Sequence, residues 1–136
     1  MATHAILHRV RYGETDQMGV VYHANFLHYF EAGRTELMRS AGLAYRELEL
    51  RGVYLVVTET SCRHLAPARY DEELRIETTV ERVGRATVSF RTRVLGPGGG
   101  LLAEGRTELA SVDRDKRPVR LPEDAARRLE NSAAAS

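Results

Sequence analysis

The sequence predicts an α+β protein in which an antiparallel sheet of about five long strands wraps around one long central helix. The first observation is a helical spacing of apolar side chains that persists from residue 24 to about residue 41. The second is a hydrophobic period of two that dominates the chain after Gly52. The third is a length of 136 residues, which favours one compact domain. Strands that follow a lone long helix are typical of α+β architecture.

The N-terminal part of the chain predicts a strand, a loop and the long helix. Residues 6–12 alternate in polarity as a strand does, and residues 13–21 form a loop. In the helix that follows, apolar side chains recur at steps of three and four, which places them on one face. Gly33 lies on that face, where its missing side chain would let a sheet approach closely. A shorter helical segment, residues 45–50, stops before Gly52.

Four further strands are predicted in the rest of the chain. Their period of two indicates segments at residues 53–65, 73–83, 85–95 and 101–113. The turn between the last two is predicted by the sequence GPGGG at residues 96–100.

The C-terminal part predicts a short helix and a tail. The helix covers about residues 122–130, and Glu123 and Asp124 lie in its first turn, as the helix dipole favours. We expect residues 131–136 to be frayed. Residues 1–136 are therefore interpreted as one domain, and we expect a second copy of the chain to cover the open edge of its sheet.

Composition narrows the classes of function. The chain has 20 basic and 19 acidic side chains, so its net charge of +1 gives no reason to expect a nucleic-acid partner. Cys62 is the only cysteine, which excludes an intrachain disulfide and is interpreted as an inert thiol. The first residues lack the apolar core of a signal peptide, and no segment has the length of a bilayer span. We therefore expect a cytoplasmic protein, and no spacing of histidines or cysteines indicates a metal site.

An acidic residue precedes the start of the long helix. The stretch YGETDQMGVVYHANF, residues 12–26, places Asp16 in a glycine-bearing loop and Tyr22, His23 and Asn25 at the helix start. The first N–H groups of a helix have no intrahelical acceptor, so they can hold an anion or a developing oxyanion. Asp16 is therefore either a structural cap or one half of an active site.

This stretch resembles the signature of hotdog-fold thioesterases of the 4-hydroxybenzoyl-CoA thioesterase type. The resemblance includes Glu31, Arg34 and the sequence LAPARYD at residues 65–71, and it covers most of residues 5–115. It is strongest to the acyl-CoA thioesterase branch associated with the bacterial Tol-Pal gene cluster. It implies a hotdog fold, a homodimer or homotetramer, and hydrolysis of acyl-CoA thioesters to a free acid and CoA, with no metal and no cofactor.

The resemblance also implies a role for each candidate residue. Asp16 occupies the catalytic position, where its carboxylate acts as a base on water or as a nucleophile on the carbonyl. The backbone N–H of His23 occupies the oxyanion position, and its imidazole could orient water or the carbonyl. Tyr22 and Asn25 would contact the substrate, and Arg85 would contact a CoA phosphate.

Each of these residues also has a simpler interpretation. Asp16 could only cap the loop or the helix, and Asn25 could serve local capping. Tyr22 could only pack, and Arg85 could be a solvated residue at a strand end. His64, a lone histidine in a strand, is interpreted as structural.

Three other functions compete with acyl-CoA hydrolysis. An acyl-carrier-protein thioesterase would need the same catalytic half of the site. A hotdog dehydratase would rely on a histidine in a differently arranged acid-base pair. A non-catalytic acyl-CoA-binding dimer would share the fold, but Asp16 at the reactive position favours an enzyme.

Overall fold

The computed structural model describes residues 3–134, which form one five-stranded sheet and three α-helices. In chain order the elements are β1 (His4–Arg9), a 3-10 turn (Tyr12–Glu14), α1 (Asn25–Ser40), α2 (Tyr45–Leu50), β2 (Tyr54–His64), β3 (Glu73–Val83), β4 (Thr87–Leu95), β5 (Leu101–Val112) and α3 (Glu123–Ala134). The strand order is β1-β3-β4-β5-β2, and all neighbours are antiparallel. The predicted α+β class and the number of strands are confirmed.

Helix α1 packs on one face of the sheet, against β1, β3 and β4. Its 16 residues bury the side chains of Phe26, Tyr29, Phe30, Leu37 and Met38. Gly33 lies at the closest approach, because a Cβ atom there would meet Thr78 Oγ1 and would lie 2.9 Å from Ile76 Cγ2. The glycine on the apolar face therefore serves the close helix–sheet packing that the sequence predicted.

Two apolar clusters lie between the helices and the sheet. One surrounds the start of α1 and includes Phe26, Leu74 and Ile76, which are at most 3% exposed. The other joins the end of α1 to α2 and α3 and includes Met38 and Leu129, both fully buried. The first cluster matters for function because it fixes the start of α1 on the sheet.

Strand β2 forms one edge of the sheet and has a strand partner on only one side among the described residues. Eight of its eleven residues are exposed and the other three are partly buried, and Val56 and Val57 are 38% and 50% exposed. Leu27 of α1 is 45% exposed and lines the same small depression as Val57. The open edge that the sequence predicted is therefore present, with exposed apolar side chains at Val56 and Val57 and polar ones along the rest of the strand.

Some element boundaries differ from the prediction. Strand β1 ends at Arg9, and Tyr12 begins a 3-10 turn, because the Glu14 carboxylate accepts the N–H of Arg11 at 3.0 Å. Strand β4 begins at Thr87 rather than residue 85, because Gly84 N–H bonds the Thr87 carbonyl at 2.7 Å and closes a tight turn.

Helix α3 is longer than predicted and continues to Ala134. No glycine or proline interrupts residues 131–134, and alanine favours helix. The frayed tail was therefore placed too early, and its last residues, 135–136, lie outside the described residues. No helix within residues 3–134 is long and apolar enough to cross a bilayer.

Candidate active site

Asp16 lies in a tight loop that is closed by its own backbone and side chain. Its N–H donates to the Val20 carbonyl at 2.9 Å, and its carbonyl accepts the N–H of Gly19 at 3.0 Å. Gly19 has a φ of 79°, a conformation that glycine adopts without strain. The Asp16 Oδ1 atom accepts the N–H of Met18 at 2.9 Å. Within residues 3–134, its second oxygen has no hydrogen-bond donor. Asp16 therefore closes the turn with one oxygen and leaves the other available to accept a hydrogen bond.

The Asp16 loop is attached to the segment that follows β2. Val21 N–H donates to the Ala68 carbonyl at 2.8 Å, and Val20 pairs with Arg69. The two sequence segments that carry the family resemblance are therefore neighbours in space.

The chain between the loop and α1 leaves N–H groups available. Tyr22 N–H donates to the Glu14 carbonyl at 2.9 Å, and Asn25 N–H donates to the Tyr22 carbonyl at 2.8 Å. Between them, the N–H groups of His23 and Ala24 have no acceptor among residues 3–134. They lie at the positive end of the α1 dipole, where an anion is stabilised. This is the position that the sequence predicted for an oxyanion.

The loop that holds Asp16 pairs with the backbone that leads to His23. Thr15 pairs with Val21, and Asp16 N–H bonds the Val20 carbonyl. His23 follows this short ladder by two residues, and the bond from Asn25 N–H to the Tyr22 carbonyl turns the chain there into α1.

Glu14 connects the loop, β1 and α1, and sequence reasoning did not identify it. Its carboxylate accepts from His8 Nε2 at 2.9 Å, from Tyr29 Oη at 3.0 Å and from Arg11 N–H at 3.0 Å. Its backbone carbonyl accepts both Tyr22 N–H and the Asn25 amide, each at 2.9 Å. Glu14 therefore fixes the direction in which the chain enters α1.

The contacts of Glu14 also determine its protonation. Burial alone would raise its pKa, but the hydrogen bonds from His8, Arg11 and Tyr29 hold the pKa of the Glu14 carboxyl below its ordinary value. Burial and the bond to Glu14 raise the pKa of Tyr29. The carboxylate is therefore charged and the phenol protonated at neutral pH.

Tyr22 and Asn25 differ in their surroundings. Tyr22 is 49% exposed, and its ring lies against the His23 ring with centroids 4.6 Å apart. The Asn25 amide donates to the Glu14 carbonyl, which is the local capping role that the sequence left open. The structure thus assigns Asn25 a bond within the chain, while Tyr22 stays accessible at the site.

His64 lies beside His23, which sequence reasoning also missed. The His64 ring centroid lies 6.0 Å from that of His23 and 5.3 Å from that of Phe26, both at nearly perpendicular planes. These three rings, Val21 and residues 65–67 line an open depression of about 300 Å³. A signal was available in the sequence, because His64 directly precedes the LAPARYD segment.

Arg85 lies far from Asp16 in the same chain. The Asp16 loop is attached near the start of β3, whereas Arg85 follows its end. Eleven residues of strand separate the two ends, or about 33 Å at 3.3 Å per residue. Arg85 lines a depression of about 650 Å³ together with Arg120 and Arg127. The predicted site residues therefore form two groups, one at each end of β3.

Metal-binding and thiol chemistry have little support in the described part of the chain. No group of three or more His, Cys, Asp or Glu side chains there could hold a metal ion. Cys62 is partly buried, and burial raises the pKa of its thiol, which disfavours the reactive thiolate.

Known proteins are similar to this chain in sequence and in fold. Residues 10–129 match the thioesterase-like superfamily. The acyl-CoA thioesterase YbgC of Haemophilus influenzae is 36% identical over 118 residues, which cover 85% of this chain and 86% of that protein. A hypothetical protein from Thermus thermophilus has a TM-score of 0.87 at 40% identity, covering 93% of this chain and 96% of that one. A DHNA-CoA thioesterase from Staphylococcus aureus has a TM-score of 0.86 at 30% identity, covering 89% and 82%.

Proposed function

The chain belongs to the thioesterase-like superfamily, and from this premise we propose that it hydrolyses acyl-CoA thioesters to a free acid and CoA. Its relative from Haemophilus influenzae, 36% identical, is an acyl-CoA thioesterase. The antiparallel sheet with α1 on one face agrees with the hotdog fold. Membership of the 4-hydroxybenzoyl-CoA type and its Tol-Pal-associated branch remains a finer proposal, which rests on the residues from Tyr12 to Phe26, and the wrapping of the sheet around α1 remains a prediction.

The observation that carries the proposal is the pair formed by the His23 N–H and the second oxygen of Asp16. Thioester hydrolysis places negative charge on the carbonyl oxygen in its transition state, and an N–H at a helix start stabilises that charge. We propose that the second carboxylate oxygen of Asp16 faces the carbonyl from the other side. It either removes a proton from the attacking water or attacks the carbonyl carbon itself.

The two routes use the same two groups and differ in one bond. In the first, water attacks the carbonyl, its proton goes to Asp16, and the carbon–sulfur bond breaks to release the CoA thiol. In the second, Asp16 attacks the carbonyl carbon, the carbon–sulfur bond breaks, and the CoA thiolate leaves and takes a proton from water; water then hydrolyses the resulting anhydride to the free acid and the Asp16 carboxylate. We propose that the His23 imidazole, which lines the depression beside His64, orients the water or the carbonyl, and that the exposed Tyr22 ring borders the substrate.

The Asp16→Asn variant tests this proposal. Asparagine keeps the oxygen that accepts the Met18 N–H, so the turn persists, but it is neither a base nor a nucleophile. Hydrolysis of an acyl-CoA, followed by thiol release, should fall about a hundredfold or more. Asp113→Asn is the matched control, because Asp113 closes a similar turn by accepting the N–H groups of Asp115 and Arg117 at 2.8 and 3.0 Å. Equal activity in the two variants would contradict the role of Asp16.

We further propose that a complete site needs two chains. The Asp16 loop and Arg85 lie at opposite ends of β3, about 33 Å apart along the strand, so we propose that an Arg85 that contacts CoA serves the Asp16 of another copy. The open edge of β2 offers the surface for such a copy, because an unpaired edge strand is a template for a second strand. Arg120 and Arg127 line the depression beside Arg85 together with Glu123 and Glu130, so basic side chains outnumber acidic ones there by one, and we propose that CoA phosphates lie against the arginines.

A further inference from the structure

We infer that Glu14 is a positioning residue for the reaction, because it holds in place the backbone N–H groups that would receive the oxyanion. This inference rests on the proposed hydrolysis and adds a residue to that site. Glu14 would act through the backbone at the start of α1 and would not contact the reacting atoms.

One oxygen atom of Glu14 holds both ends of the segment that carries the available N–H groups. The backbone carbonyl of Glu14 accepts the Tyr22 N–H and the Asn25 side-chain amide, each at 2.9 Å. His23 and Ala24 lie between these two residues, and their N–H groups have no acceptor among residues 3–134. Because the segment 22–25 is closed over a single acceptor, the place of that acceptor determines where the two N–H groups point.

The side chain of Glu14 fixes that acceptor to three elements of the fold. Its carboxylate accepts from Nε2 of His8 in β1 at 2.9 Å, from the N–H of Arg11 before the 3-10 turn at 3.0 Å and from Oη of Tyr29 in α1 at 3.0 Å. The Glu14 side chain is mostly covered, so water competes little for these bonds. A shift of the strand, the turn or the helix relative to the other two would therefore lengthen a charge-assisted hydrogen bond.

The placement of these N–H groups matters more for the transition state than for the bound substrate. Charge on the carbonyl oxygen develops only as the thioester is attacked, and donors that are already in place stabilise that charge without reorganising. A displacement of about 1 Å can lower a rate by about a hundredfold. Loosening Glu14 should therefore lower kcat, whereas the contacts that determine KM stay in place.

Glu14→Gln tests the inference in steady-state hydrolysis of the acyl-CoA that the wild type hydrolyses fastest, with kcat and KM measured separately. Glutamine keeps the length of the side chain but removes its charge and one accepting oxygen. We expect kcat to fall about tenfold and KM to change less than about twofold. Asn25→Ala is the second variant, because it removes only one of the two bonds to the Glu14 carbonyl. Its kcat should fall about threefold, again with little change in KM.

Leu129→Ala is the control for a loss of stability alone. Leu129 is fully buried in α3, in the apolar cluster at the other end of α1, so its truncation destabilises the fold without touching the start of α1. The kcat of the folded Leu129→Ala protein should stay within about twofold of the wild-type value, because distant sites act independently.

A wild-type kcat in Glu14→Gln would overturn the inference, and so would an equal fall of kcat in Leu129→Ala. If Glu14→Gln does not fold, Asn25→Ala decides, and a wild-type kcat in that variant, with or without a raised KM, would overturn the inference. The proposed function fails in a different way, through a wild type that hydrolyses no acyl-CoA or an Asp16→Asn variant that stays fully active.

Discussion

Replacement of Glu14 by glutamine tests whether its carboxylate holds the start of α1 in place. The carboxylate accepts three bonds of 2.9 to 3.0 Å, from His8, Arg11 and Tyr29, and its side chain is 14% exposed. Hydrogen bonds to a charged group contribute about 1.5–3 kcal/mol each. Glutamine keeps one accepting oxygen but turns an N–H₂ group toward donors, so one or two of these bonds are lost. We expect Glu14→Gln to lower the free energy of unfolding by about 3 kcal/mol at pH 7.

The lowered pKa of Glu14 predicts how the effect of the substitution on stability changes with pH. The pKa of Glu14 lies below its ordinary value of 4.5, so its folded state favours the charged form. The contribution of Glu14 is therefore complete above pH 4.5 and is lost as the pH falls through the lowered pKa. The difference in stability between the wild type and Glu14→Gln should shrink over that acidic range.

Urea unfolding followed by circular dichroism, at a series of pH values between about 3 and 7, measures this difference. Tyr29→Phe is the control, because it removes one donor and keeps the carboxylate charged, so it should cost only about 1 kcal/mol. A Glu14→Gln variant within about 0.5 kcal/mol of the wild type at neutral pH would refute the reasoning. A difference that persisted unchanged in acid would refute the electrostatic part of it.

Two further predictions concern the helix–sheet contact and the far end of β3. Gly33→Ala should lower the free energy of unfolding by about 1–3 kcal/mol despite the better helix propensity of alanine, because its Cβ would overlap Thr78. Gly13→Ala is the control in the same urea assay. A Cβ at Gly13 would have no atom within 4 Å, so this variant should change the free energy of unfolding little. Arg85→Ala should raise the KM for acyl-CoA about tenfold and leave hydrolysis of an N-acetylcysteamine thioester unchanged. Mixing the Arg85→Ala protein with the Asp16→Asn protein should restore acyl-CoA hydrolysis if each site uses both chains, because some sites then combine an intact Asp16 with an intact Arg85. No recovery of activity after subunit exchange would refute the two-chain site.

Much of the fold follows from local signals in the sequence. The observed bounds of α2 and β3 are those that the periodicity predicted, because period and turn residues coincide there. Gly33 was also interpreted correctly, since a glycine on the apolar face of a helix has few other uses. The start of β4 was placed two residues early, because the bond between Gly84 and Thr87 depends on turn geometry rather than on polarity.

The site was less accessible to sequence reasoning because its contacts are long-range. Asp16 and the helix start are close in sequence and could be singled out together. Glu14 acquires its importance from His8, six residues before it, and from Tyr29, fifteen residues after it. His64 meets His23 only because the Asp16 loop pairs with the segment after β2. Neither contact has a periodic signature.

The length of β3 has a consequence for how such a protein can diversify. Its two ends carry the proposed hydrolytic groups and the depression beside Arg85, about 33 Å apart. Substitutions around Arg85 therefore leave the backbone of the Asp16 loop undisturbed, and those around Asp16 leave the arginines undisturbed. A lineage can exchange one thiol carrier for another while it inherits the bond-breaking half unchanged, so that carrier preference and acyl preference evolve as separate traits.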